Sequence, residues 1–195
     1  MDIDVEEVFK FYRTEFVPAY SDLVGYIGDK PRQMLIELEN TLAHISQYFN
    51  SELDISDKDE NIAKAYNHLV RATSDCYKLL WVTLYEQLII IEKDEFKRKF
   101  GLNISEKEFR TKFQSIKKLA QEARRIELTS IGLASMTSLS KYKEVVKDSY
   151  ELIDTIDEDK LRDINTLKRF VFSKEFIIGI IAGLISGYLL HIFIA

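Results

Sequence analysis

The chain has 195 residues, 46% of them hydrophobic and 12% aromatic, and a net charge of −5, which excludes a disordered polar polypeptide. A single cysteine excludes a disulfide framework and a cysteine-based metal cluster. Two prolines and seven glycines are too few for the turns of a β-rich fold, so an all-α chain of long helices is expected.

The first residues, MDIDVEEVFKFY, are acidic and amphipathic, without the basic start and apolar core of a signal peptide. Val5, Val8, Phe9, Tyr12, Phe16, Tyr20, Leu23 and Val24 recur at three- and four-residue spacings, which predicts a helix over 4–27. Pro18 lies inside it and should kink or split it near Phe16. Gly25, Gly28, Asp29 and Pro31 form a break, with Asp29 as the expected N-cap of a second helix and Pro31 in its first turn. That helix runs to about Asn50 and is expected to bury Leu35, Leu38, Leu42, Ile45 and Phe49.

A long third helix is expected from Ser56 to Ile91 or beyond, with Asp57, Asp59 and Glu60 complementing the dipole of its first turn. Gly101 and Asn103 end this region. Ser105 and Glu108 have the spacing of a capping box, which starts a fourth helix through Arg125. Residues 126–140 (IELTSIGLASMTSLS) are small and almost uncharged, as in a tightly packed helix or a hinge. A further helix is expected at about 141–156, and a last one from near Asp157.

The last twenty residues, FIIGIIAGLISGYLLHIFIA, carry no formal charge; at 1.5 Å per residue such a helix matches the roughly 30 Å core of a bilayer. Lys168, Arg169 and Lys174 precede it and predict a cytoplasmic soluble part. The expected architecture is a cytosolic multi-helix bundle, residues 1–172, followed by one C-terminal transmembrane helix, residues 173–195. The expected location is the inner (plasma) membrane, single-pass, with the N-terminal domain in the cytoplasm. Gly179, Gly183 and Gly187 are spaced by four, so small residues line one side of the helix and favour a homo-oligomer over a plain anchor. Tyr188 and His191 are polar groups that either sit at the interface or line a path among several copies.

No phosphate-binding glycine loop, HExxH or nucleophile motif is present. No enzyme, metal or cofactor is therefore expected. His68, Arg71 and Asp75 share a helix face, read as a structural polar line with Asp75 accepting from Arg71. A nuclease would want a histidine soon after the arginine, and Arg71 has none in its helix.

Charge is distributed unevenly. Residues 1–60 hold 14 acidic and 5 basic side chains, whereas residues 97–125 hold 3 acidic and 10 basic ones. The basic set is Lys97, Arg98, Lys99, Lys107, Arg110, Lys112, Lys117, Lys118, Arg124 and Arg125, interleaved with Phe96, Phe100, Phe109 and Phe113. Cations neutralise phosphates and flat rings stack on bases, so the mixture suits single-stranded DNA or a nucleotide. Two other readings stay open: ion pairing with acidic helices of the same or a neighbouring subunit, and attraction to anionic lipid.

Ala65, His68, Leu69, Arg71, Ala72, Asp75, Tyr77 and Lys78, within residues 61–81, look like a stretch of small helical proteins from bacterial defence islands. With the C-terminal apolar helix, the layout resembles the membrane effector of the Hailong-type anti-phage system. The resemblance implies a cytosolic helical domain that restrains an oligomeric ion channel. It also implies that single-stranded DNA, made by a partner nucleotidyltransferase, holds the channel shut. No binding residue is carried over, because here the N-terminal region is acidic and the basic residues cluster at 97–125. The functional expectation is a gated membrane effector; the alternative is a tail-anchored adaptor that recruits a soluble partner and conducts nothing.

Overall fold

The computed structural model describes residues 3–129, 136–166, 174 and 177–184. These residues are helical apart from connecting turns and one isolated bridge between Leu102 and Ile156. The all-α expectation is met.

Helix α1 (Val5–Phe11) starts on Asp4, whose side chain accepts from the Glu7 amide at 2.8 Å. It continues without a break through a π-helical turn, Tyr12–Phe16, into α2 (Val17–Ile27). Pro18 accounts for the turn. Its ring would collide with the carbonyl four residues back, and it has no amide to donate. The widened turn relieves that crowding, and the Val17 amide donates to the Tyr12 carbonyl five residues back. The inserted residue also rotates the following helix, so Phe11 and Phe16, five apart, are both buried. Phe9 and Tyr12, expected on the inner face, stand at the surface.

Gly28 ends α2 in the left-handed conformation, φ 73°. Helix α3 (Arg32–Tyr48) is capped by Pro31 rather than Asp29, whose side chain is turned back onto the Lys30 amide. Its buried residues are Met34, Thr41 and Ile45, with Leu38 half-buried. Leu35, Leu42 and Phe49, expected inside, are exposed. The apolar stripe of α3 is wider than the surface this chain packs against it.

Helix α4 (Ile55–Lys93) has 39 residues, about 58 Å of rise. Its cap is Asp54, which accepts from the Asp57 amide at 2.8 Å, so the start falls just before Ser56. It is the spine of the molecule. Its first two-thirds carry α1, α2 and α3 around Ile62, Leu69, Cys76 and Leu80. Its second half packs on α6 and α7 around Leu84, Leu88 and Ile91.

Asp94 ends α4 and caps the short α5 (Glu95–Phe100), which was not expected. Helix α6 (Glu106–Thr129) follows; Ser105 Oγ accepts from the Glu108 amide at 3.2 Å, as the capping-box spacing required. Helix α7 (Met136–Ile153) begins earlier than expected, and residues 158–166 form α8, capped by Asp157. The middle of the small-residue stretch, 130–135, lies outside the described residues. The turn before α6 is tied to the turn before α8. The Asp157 amide donates to the Gly101 carbonyl at 2.9 Å, and the Asn103 amide to the Thr155 carbonyl at 2.8 Å.

Among the described residues no helix is long and apolar enough to cross a membrane. Most of the span expected over 173–195 lies outside them. The described part, 177–184, is helical, with Ile177, Ile178, Ile180, Ile181 and Leu184 exposed. Gly179 and Gly183 fall within it, one turn apart, and nothing stands within 4 Å of a Cβ built on either. Gly187, Tyr188 and His191 are outside the described residues.

Candidate functional site

The basic segment folds largely as α6, and helical geometry sorts its residues. Phe109, Phe113, Ile116, Ala120 and Ala123 are its buried stripe. Seven residues make almost two turns, so Arg110, Lys117 and Arg124 form a line beside that stripe. Lys107, Lys118 and Arg125 lie further round the same side, while Lys112 falls on the opposite flank. Phe109 and Phe113 are therefore core. Phe96 and Phe100, on α5, are exposed with ring centroids 5.7 Å apart.

Half of the ten basic residues are in local ion pairs. Arg98 is buried, its Nε 2.8 Å from Glu106 Oε1 and its guanidinium on the Glu92 carbonyl, which makes it a structural tie. Lys99 pairs with Glu95, and Lys112 with Glu108 at 3.0 Å. Arg110 lies 3.5 Å from Glu106 and 3.8 Å from Glu92. Arg124 lies 2.7 Å from Glu127. These partners all belong to residues 92–127; none comes from the acidic first sixty residues. Lys97, Lys107, Lys117, Lys118 and Arg125 form no ion pair among the described residues, and Lys117 sits 5.7 Å over the Phe113 ring.

The line of cations borders a cleft of about 500 Å³ between α4, α6 and α7. Lys78, Trp81, Val82 and Tyr85 of α4 form one wall, Lys117, Ala120, Gln121 and Arg124 of α6 the other, and Tyr142 of α7 closes one end. Trp81 and Tyr85 are half-buried, one turn apart, with edge-to-face rings at 5.2 Å; Tyr85 stacks in turn on Phe113 at 5.7 Å. Both rings are thus held by the core while an edge stays open to solvent.

Glu127 organises the polar end. Its carboxylate accepts from Lys78 at 2.6 Å, from Arg124 at 2.7 Å and from the Tyr142 hydroxyl at 3.4 Å. Burial alone would raise its pKa, but the bonds from Lys78 and Arg124 outweigh burial and hold it below the usual carboxylate range. Burial would likewise push the Lys78 ammonium down; hydrogen bonds to Asp75 and Glu127 hold it above its ordinary value. Burial, and then the charge of Glu127, push the Tyr142 hydroxyl up. Lys78 and Arg124 are therefore pre-positioned and largely neutralised, Lys117 carries the uncompensated charge of the cleft, and Lys118 and Arg125 carry theirs further round α6.

Comparison with protein-family models, curated proteins and solved structures found no match for this chain.

His68 Nδ1 is 2.7 Å from Glu37 Oε2 on α3, and its ring stacks on His44 at 5.3 Å. Asp75, further along α4, pairs with Lys78. No cluster of three or more metal-ligating side chains occurs among the described residues. Of the cleft, the sequence reading found Lys117 and Arg124 and missed Trp81, Tyr85, Glu127 and Tyr142. Lys78, Trp81 and Tyr85 do recur at three- and four-residue spacing, but only the packing of α6 and α7 beside them makes a site.

Proposed function

We propose that this chain is a non-enzymatic membrane effector whose helical domain binds a single-stranded oligonucleotide at the Trp81–Tyr85 cleft. The cleft is the observation that carries the reading. It joins open aromatic edges to cations, of which Lys117 is unpaired, the two groups that sequence-tolerant binding of single strands uses. Arg110, Lys117 and Arg124 extend over about 21 Å of α6, longer than one nucleotide needs. A short strand therefore suits the face better than a mononucleotide. The apolar residues 177–184, with Gly179 and Gly183 open on one side, suit the start of a self-associating membrane helix. Bound strand would favour a closed assembly of these helices, and its loss an open, conducting one, as in the Hailong-type effector. That coupling requires the ligand to bind the two states with different affinity.

Trp81 is the sole tryptophan, so its emission reports on the cleft. Titrating the full chain in detergent with short oligothymidylate at low salt should change that emission, with an affinity that falls as salt rises. Replacing Lys117 and Lys118 with Glu should abolish the response. Unchanged emission together with unchanged anisotropy of a labelled strand would sink the ligand reading. Conduction is tested separately, by membrane potential in cells making the full chain or a version stopped after Lys174. Depolarisation with both versions would sink the role given to the tail.

The adaptor reading also has an observation in its favour. An apolar groove of about 290 Å³ runs between α1 and α3, with Phe9, Tyr12 and Leu42 exposed on its rim, as a protein-docking surface would be. Gly183→Leu separates the readings: it should abolish depolarisation by a channel and leave an adaptor working.

A further inference from the structure

The exposed stripe of α3 is built to meet its own copy. Leu35, Leu42 and Phe49 are 46%, 64% and 67% exposed and follow one another at seven-residue spacing, the repeat of a helix-pairing seam. Phe9 and Tyr12 of α1 stand beside them and widen the apolar face. The two ends of α3 differ in charge, although Asp29 stands beside the cations at its start. Lys30 and Arg32 lie twelve and ten residues before Leu42, and Asp54 and Glu52 twelve and ten residues after it. All four are exposed, and Lys30, Arg32 and Glu52 form no ion pair among the described residues.

We infer that two copies of this chain pair through α3 in antiparallel fashion, about a two-fold axis at Leu42. In that arrangement a residue of α3 before Leu42 faces the α3 residue equally far after it in the other copy, as far as the cap at Phe49. Leu42 meets Leu42, and Leu35 meets Phe49. The end of α3 that holds Lys30 and Arg32 comes beside the other copy's turn that holds Glu52 and Asp54, once at each end of the interface. A parallel pair would match the same apolar side chains but set Arg32 against Arg32 and Glu52 against Glu52, a like-charge arrangement that specific interfaces avoid. Glu39 is the one charge inside the stripe; the antiparallel pair sets it by the turn that holds Ser46, not by a second Glu39. Such a pairing is isologous, so it closes at two copies and does not grow into a filament. The inference stands on α1 and α3 and is independent of any ligand in the cleft.

Cysteine cross-linking of the full chain in membranes tests it. The native Cys76 is fully buried, and burial pushes its thiol up to about 12, so it stays silent. Leu42→Cys, on the axis, should form a disulfide-linked dimer on mild oxidation. Leu35→Cys alone should not, because its two copies would lie about 21 Å apart along the helices, beyond the roughly 7 Å reach of a disulfide. Leu35→Cys mixed with Phe49→Cys should cross-link. All three positions are exposed, so the folded state is expected to survive each change. Absence of the Leu42→Cys dimer overturns the proposal. So does cross-linking of Leu35→Cys alone to the same extent as Leu42→Cys, the mark of parallel or unspecific contact. Association through the glycine face elsewhere in the chain would leave this pattern absent.

Discussion

Lys78 Nζ lies 2.6 Å from Glu127 Oε1, which ties the middle of α4 to the last turns of α6. Both side chains are about three-quarters buried, 25% and 29% exposed, so the pair lies between a screened surface contact and a desolvated one. Glu127→Gln keeps the shape and removes the charge that holds Lys78 and Arg124. It should cost about 1–2 kcal/mol, read as a lower urea midpoint with an unchanged slope.

The same carboxylate gives a pH dependence with a definite sign. Its folded value is depressed below the unfolded one. Its contribution is therefore fully present above the unfolded carboxylate range and is lost as pH falls through the depressed folded value. Wild-type protein should lose more stability than Glu127→Gln between pH 7 and acid conditions. Parallel pH profiles for the two proteins would show that Glu127 contributes nothing of this kind.

Phe9 and Phe16 share the apolar periodicity of the first helix, yet one is 48% exposed and the other 1%. Phe16→Ala should cost about 3–5 kcal/mol through a core cavity. Phe9→Ala should stay within about 0.5 kcal/mol as a surface change in the isolated chain. Equal losses, measured by thermal or urea unfolding, would mean the register change at the π-helical turn is absent.

Gly101 is needed for close approach. A Cβ there would overlap Leu161 Cδ2 and come within 2.8 Å of the Lys97 carbonyl oxygen. Gly101→Ala should therefore cost about 1–3 kcal/mol by overpacking. Because one of the two neighbours is a side chain, Leu161→Ala should recover part of the loss in a double-mutant cycle.

Cys76 should resist thiol reagents in the native protein, because it is buried in the α1–α4 core and its thiol is pushed up to about 12. Modification should appear only as the chain unfolds, at a rate that follows the opening of this core. Prompt labelling of folded protein would contradict the packing.

Local chemistry in the sequence was enough for the main helices, though not for α5 or for the start of α7. Apolar spacing, the Ser105–Glu108 capping spacing, the few turn residues and the position of Pro18 act over a single turn, where neighbours in the chain are neighbours in space. The uneven charge and the candidate cations were also legible, because counting them needs no fold.

What the sequence left undecided depended on register and on contacts between distant residues. An apolar residue at helical spacing can face the core or the solvent, and the π-helical turn decided between Phe9 and Phe16. The width of the stripe on α3 was visible, but only the position of α4 showed that Leu35, Leu42 and Phe49 stay uncovered. Trp81, Tyr85, Lys117, Arg124 and Tyr142 come from three helices, and no spacing along the chain relates them. The antiparallel packing of α4 and α6, set by burial of Phe113 and Leu88, turned a basic segment into one wall of a cleft.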